Sequence, residues 1–203
     1  MEKSRTTIVI IDDNNKLRDE PFIIEAKMLF ENVIFFDDSL EGLKYVQKNI
    51  DKRIIILLDL SFPQNLPDGH EVLKIIRDDS FLIPVIIWSG IDEDKASFSD
   101  LINNKAFSYL KKGASNQEII DELVKADNFI NTNIDVALEE WINAHSEEQK
   151  NQPYMVTVDG KQLTLNNLLD EVRKQTPIGK QFSKSLSKLT IDLLSRNKEK
   201  LND

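Results

Sequence analysis

The first 130 residues predict an α/β fold, a (βα)5 parallel sheet doubly wound with helices, followed by a long helical linker and a small α+β module. Three observations carry this reading. Short apolar runs rich in β-branched residues recur between Thr7 and Leu110, as strands buried on both faces require. Amphipathic stretches alternate with those runs at the spacing of βαβ units. After Gly113 the alternation stops, helical periodicity takes over, and a hairpin pattern follows.

The five strand runs are Thr7–Ile11, Val33–Phe36, Ile54–Leu58, Pro84–Trp88 and Ala106–Leu110. Helical patterns lie between them at about residues 20–31, 39–49, 69–78, 93–103 and from 115 onward. Asp68-Gly69 ahead of His70–Ile76 reads as a turn and then a helix start. Residues 115–150 form one long helix or two in succession. Ile120, Leu123, Ile130, Ile134, Ala137 and Trp141 keep a 3-4 spacing that Asp127 breaks, and Asn131-Thr132-Asn133 is the natural place for an interruption. Residues 146–153 are polar and linker-like. Tyr154–Val158 and Lys161–Leu165 alternate around Asp159-Gly160, the pattern of a hairpin. Helical patterns at 166–175 and 177–196 meet at Thr176-Pro177. The division is therefore residues 1–130, a helical linker at 131–153, and a hairpin with two helices at 154–203.

The chain has 203 residues, 40% of them hydrophobic and 30% charged, an ordinary globular composition. It has no cysteine, which excludes disulfides and thiolate metal sites. The apolar stretch Ile8–Ile11 is too short for a signal-peptide core, and no segment approaches the length that spans a bilayer. A cytoplasmic protein without a membrane partner is expected. The net charge of -9 is uneven: residues 151–203 hold 9 Lys+Arg against 6 Asp+Glu, so the acidity lies in the first 150 residues.

What ends each strand carries the chemistry. The first run ends in Asp12-Asp13, the third in Asp59, the fourth in Ser89 and the fifth in Lys111-Lys112. In an open α/β sheet ligands bind beyond the carboxyl ends of the strands, where strand order reverses. With the order 2-1-3-4-5 these side chains share one crevice. Three carboxylates there repel one another, and a hard cation relieves this. Mg²⁺ takes oxygen ligands in near-octahedral geometry: Asp12, Asp13 and Asp59 suit it, together with a loop carbonyl such as that of Ser61. Asp59 is then a nucleophile for phosphoryl transfer, with Lys112 and Ser89 placed to neutralise phosphoryl oxygens. His70 and His145 fall in helical patterns, are expected at the surface, and are assigned no metal.

The ordered set Asp12-Asp13, Asp59, Ser89 and Lys112 resembles the response-regulator receiver family of two-component signalling, with its flavodoxin-like sheet, over about residues 5–130. Pro63 four residues after Asp59, Asp68-Gly69, and Phe107-Ser-Tyr-Leu-Lys-Lys-Gly113 match as well. The family's lysine follows an aromatic by three residues, which selects Lys112, three after Tyr109, over Lys111. The resemblance implies that a histidine kinase or phosphotransfer protein phosphorylates Asp59. It also implies a switch: the Ser89 hydroxyl moves toward the phosphate and Tyr109 turns inward, reshaping the surface around the fourth helix, fifth strand and fifth helix. Two departures stand out. Gly113 replaces the proline usual after the lysine, which implies a trans bond. The loop from Asp59 to Gly69 is about two residues longer than usual and carries the extra Pro67.

In the tail, Ile178, Phe182, Leu186, Leu189 and Leu193 share one helix face, with Lys180, Lys184 and Lys188 roughly opposite. The leading functional expectation is a response regulator whose C-terminal module binds a downstream protein. The alternative is a DNA-binding transcription regulator under the same phosphorylation. DNA is the weaker partner, because no helix-turn-helix is evident and the tail's positive charge is small. A homodimer through the extended fifth helix is also expected. An enzyme such as a phosphoaspartate phosphatase needs a general acid beside its nucleophile, and the residue two after Asp59 is Ser61. The protein is therefore read as a phosphoacceptor and not an enzyme.

Overall fold

The computed structural model describes residues 3–90, 101, 103–157 and 160–197. The chain forms two compact units, residues 1–132 and 133–203.

The first unit is a five-stranded parallel sheet in the order β2-β1-β3-β4-β5. Its strands are β1 Ser4–Ile11, β2 Phe30–Phe36, β3 Ile54–Leu58, β4 Val85–Ser89 and β5 Ser108–Lys111. Every residue of β3 and β4 is buried, as are Thr6–Ile11 of β1. The near-continuous apolar runs arise from this two-sided burial. Edge strand β2 is only partly covered.

Three helices connect the early strands: α1 Pro21–Leu29, α2 Ser39–Lys48 and α3 Gly69–Asp79. Local chemistry sets their starts. Pro21 opens α1, where its missing N–H has no helical partner to lose. The Asp38 carboxylate accepts from Leu40 and Glu41 N–H at the start of α2. Asp68 and Glu71 form a reciprocal capping box on α3. The pattern at 93–103 falls mostly outside the described residues; Leu101 and Asn103 are helical, and Leu101 is buried in the core.

The last helix of this unit, Asn116–Thr132, buries Ile119, Ile120, Leu123, Ala126 and Ile130. Asp127 breaks the apolar stripe because it serves β1. It accepts hydrogen bonds from Ser4 Oγ at 2.9 Å and Thr6 Oγ1 at 2.5 Å, and Thr6 is fully buried. A second polar anchor is Arg77, whose buried guanidinium donates to the carbonyls of Ser80, Ile83, Asn104 and Lys105. Burial without a carboxylate lowers its pKa to about 10.

The second unit begins at Asn133, whose side chain accepts from Asp135 N–H and starts a new helix, Ile134–Asn143. Of the two readings of residues 115–150, the interrupted one is therefore observed. This helix is not a free linker: Val136, Leu138 and Ile142 are buried in the unit's core. The expected stripe Ile134, Ala137 and Trp141 is instead exposed. The helix packs on Leu165–Arg173 and Pro177–Asn197. Arg173 Nε donates to the buried Glu139 carboxylate at 2.6 Å, and Gln175 reaches Asp135 at 2.7 Å.

The hairpin is β6 Pro153–Val156 against β7 Gln162–Thr164, antiparallel; Val158 and Asp159 of the expected turn lie outside the described residues. A Cβ at Gly179 would stand 2.1 Å from the Glu171 carbonyl, so that glycine lets the last helix approach its neighbour. Only the first half of the last helix packs: Leu189 is 53% exposed and Leu193 49%. Lys180, Lys184 and Lys188 are exposed. His70 and His145 are half-buried; His145 lies just past the helix end, edge-on to Trp141.

Candidate functional site

The parallel register aligns the carboxyl ends of the five strands. Ile11 pairs with both Phe36 and Leu58, Leu58 with Ile87, Ile87 with Tyr109, and Ser89 with Lys111. Ladder bonds run one residue past the strands: Asp12 N donates to Phe36 O, Asp59 N to Ile11 O, and Lys112 N to Ser89 O. Each site residue is thus fixed by backbone bonds on a buried sheet, which gives the precision a reacting constellation needs.

Asp12 and Asp59 are buried, at 1% and 3% exposure, and Ser89 is fully enclosed. Asp13 is exposed beside them. Carboxylate oxygens of Asp12, Asp13 and Asp59 lie within 4.8 Å of one another. Lys112 Nζ stands between two of them, 2.7 Å from Asp59 Oδ2 and 2.8 Å from Asp12 Oδ2. Its hydrogen bond goes to Asp59. The approach to Asp12 is a charge contact without hydrogen-bond geometry, so Asp12 Oδ2 is a buried oxygen with no donor.

The other carboxylate oxygens are held by backbone. Leu60 N–H donates to Asp59 Oδ1 at 2.8 Å, and Asn14 N–H to Asp12 Oδ1 at 2.9 Å. Burial pushes the Asp12 pKa up, against the close Lys112 ammonium and the Asn14 hydrogen bond, and the Asp59 charge adds to the rise. Burial works to lower the Lys112 pKa, but contacts with Asp12 and Asp59 outweigh it and hold the pKa above the ordinary lysine value. A cleft with two buried carboxylates, an exposed third and one ammonium is short of positive charge. Its all-oxygen donor set and the donorless Asp12 Oδ2 fit a hard divalent cation.

The expected residues fall into two groups. Asp12, Asp13, Asp59 and Lys112 converge. Ser89 stands at the end of β4, one residue further along its strand than Asp59 along β3, given the Leu58–Ile87 pairing. Ser61 is exposed on the loop after β3. Tyr109 is half-buried on β5, packed on the core.

Three further features support the site. Gly69, read in the sequence as a turn and as part of the family's pattern, packs on the nucleophile's own backbone: a Cβ would lie 2.1 Å from Asp59 O and 2.6 Å from Leu60 Cα. The Asp68-Gly69 pair was the available signal. Trp88 lies with its ring 5.8 Å from Lys112 Nζ and edge-on to Phe22. Gly113 adopts φ +125°, a conformation open to glycine and closed to proline; all peptide bonds of the described residues are trans. In the longer loop, the Pro67 carbonyl accepts from Ser39 Oγ at 2.7 Å.

The response regulator receiver domain family matches residues 8–124. Among solved structures, a LuxR-family DNA-binding response regulator from Staphylococcus aureus is 25% identical; the match covers 61% of this chain and 99% of that one, with a TM-score of 0.53. A CheY-like receiver domain from Methanospirillum hungatei is 18% identical over 64% of this chain and 100% of that one, with a TM-score of 0.55. A chain from the CheX–CheY–BeF3–Mg complex of Borrelia burgdorferi is 18% identical over 59% and 87%, with a TM-score of 0.52. No curated protein matches this chain.

Proposed function

Because this chain belongs to the response regulator receiver domain family, we propose that it is a cytoplasmic response regulator in which Asp59 accepts a phosphoryl group from a histidine kinase or phosphotransfer protein. Residues 133–203 then pass the signal on by binding another protein. The observation that carries the first step is Lys112 Nζ at 2.7 Å from Asp59 and 2.8 Å from Asp12. It is the site's one ammonium among the described residues, at the mouth of an anionic cleft that must receive an anion.

Asp12, Asp13 and Asp59, with the Ser61 carbonyl, would hold Mg²⁺, which when bound supplies the missing positive charge for the carboxylates and for a phosphoryl oxygen. Asp59 presents one carboxylate oxygen to phosphorus. The donor's bond to phosphorus breaks with its electron pair left on the donor, and an acyl phosphate forms. The Leu60 N–H at Asp59 Oδ1 fixes the carboxylate's rotation. Lys112 exchanges its contact with Asp59 for a phosphoryl oxygen, and the Ser89 hydroxyl donates to another. Ser89 and Tyr109 are the switch pair: movement of Ser89 toward the phosphate leaves room behind it for the half-buried Tyr109. The protein carries the phosphoryl group itself, as a phosphoacceptor.

The DNA-binding reading draws on one observation, the exposed Lys180, Lys184 and Lys188. Hydrogen exchange on the full chain, with and without beryllofluoride and Mg²⁺, separates the readings when paired with a duplex-DNA shift assay at physiological salt. The proposal expects changed protection within residues 178–194 and no specific DNA shift. Indifferent protection together with a specific, salt-sensitive shift would establish the DNA-binding alternative.

A further inference from the structure

The second unit holds a groove of about 430 Å³ between β6 and the last helix, lined by Met155 and Val156 of the strand, by Thr157 just past its end, and by Ile178, Phe182 and Ser185 on the helix. Successive strand side chains point to opposite faces. Met155 and Val156 are successive strand residues, so both line one groove only where the strand turns its edge toward it. β6 pairs with β7 alone, in a two-stranded sheet, so no described strand covers that edge. The groove's apolar character comes from both walls: Ile178 and Phe182 are half-buried, and Val156 is 60% exposed.

One rim of the groove is basic. Gln181 and Ser185 line it, and Lys184 and Lys188 lie three residues beyond them, hence beside them on the helix surface. Both lysines are exposed. From Lys174 to Ile191 the chain has four lysines and no Asp or Glu. Neither rim lysine has an ion-pair partner among the described residues.

An open strand edge, an apolar cleft beside it and a basic rim fit one ligand chemistry. We infer that this groove takes an extended, acidic segment of a partner protein, added as a strand along β6. Alternate apolar side chains of that segment rest on Ile178 and Phe182, and its Asp or Glu residues lie along Lys184 and Lys188. The inference rests on the reading of residues 133–203 as a protein-binding unit and names the partner's chemistry. Charge and backbone decide against other occupants. A second copy brings the same lysines to the same rim. A helical ligand leaves the strand edge without hydrogen bonds. A nucleic-acid backbone offers nothing to fill the apolar cleft.

The test is selection of a displayed random ten-residue peptide library on the full chain, in parallel with Ser185→Trp, which fills the groove from an exposed position, and Lys184→Glu/Lys188→Glu, which inverts the rim. Circular dichroism checks that both variants are folded. Expected hits alternate apolar residues and carry at least two Asp or Glu. As synthetic peptides they lose about tenfold or more in affinity, or about 1.4 kcal/mol, on either variant. N-methylation of alternate peptide nitrogens costs them the same, because it removes strand hydrogen bonds and leaves charge unchanged. Hits that bind Ser185→Trp equally well would leave a protein-binding unit and overturn the groove. Hits with helical periodicity, or indifferent to N-methylation, would overturn strand addition. A dimer lost in Ser185→Trp would make the groove a self-interface instead. No enrichment over Ser185→Trp would also overturn the inference, and a specific DNA shift beside it would remove the protein-binding reading as well.

Discussion

Replacing Lys112 with methionine keeps most of the side-chain volume and removes the one ammonium between two buried carboxylates. At 2.7 and 2.8 Å, an effective dielectric constant of about 20 gives about 6 kcal/mol of attraction per contact. Desolvation of the three ions offsets most of this. Losing the cation of a buried ionic cluster typically costs about 3–5 kcal/mol. Lys112 is 27% exposed, which places the expectation near the lower end, at about 3 kcal/mol for the metal-free protein. For a unit of this size that lowers Tm by about 10 °C. The assay is urea unfolding at pH 7.5 in EDTA, followed by Trp88 fluorescence in a Trp141→Phe background, so that the signal reports the first unit. Saturating Mg²⁺ should narrow the gap between variant and wild type, because the divalent ion takes over neutralisation of Asp12 and Asp59. The pH dependence has a definite sign. The Lys112 pKa is raised on folding, so its stabilisation is complete below the unfolded value of 10.5 and lost as pH rises through the higher folded value. Equal stability of the two proteins in EDTA, or a gap indifferent to Mg²⁺, would refute this electrostatic account.

Asp12→Asn should act in the opposite direction in EDTA. Burial raises the Asp12 pKa, so its contribution falls as pH climbs from 3.8 through the folded value; the variant should be the more stable protein at pH 7, while Mg²⁺ no longer stabilises it, both read by the same urea titration. Gly69→Ala sets a Cβ against the Asp59 backbone and should cost about 2 kcal/mol, with slower phosphorylation by acetyl phosphate. Arg173→Met removes the cation from the buried Glu139 carboxylate and should destabilise the second unit by about 3 kcal/mol. Hydrogen exchange should then show lost protection in residues 134–143 and 165–173, with Trp88-reported unfolding unchanged.

The sheet was legible in the sequence because two-sided burial leaves no room for polar residues: Ile54–Leu58 could hardly be anything but a central strand. The converging residues were legible for a related reason, since a charge directly after such a run has one place to go, the sheet's carboxyl edge. Sequence periodicity failed where the partner is remote. Ile134, Ala137 and Trp141 looked like the inner stripe of a helix, yet they are exposed, and Val136, Leu138 and Ile142 are buried. Glu139 lies on that buried face, matched by Arg173 across 34 positions. A pairing at that range leaves no mark in local spacing. Gly69 was read as a turn because its steric role depends on Asp59 and Leu60, which only the fold brings against it. The φ of Gly113 was hidden for the same reason: the sequence shows that proline is absent, and the backbone shows that proline could not be there.

Asp59 as the phosphoacceptor is open to a direct test by intact-mass spectrometry. The full chain is incubated with acetyl phosphate, with Mg²⁺ or with EDTA, and weighed beside Asp59→Asn under the same conditions. One added phosphoryl group is expected on wild type in Mg²⁺, none in EDTA, and none on Asp59→Asn. A variant that gains the group as fast as wild type would remove Asp59 as the acceptor, and a wild type that gains it equally well without metal would remove the Mg²⁺ site.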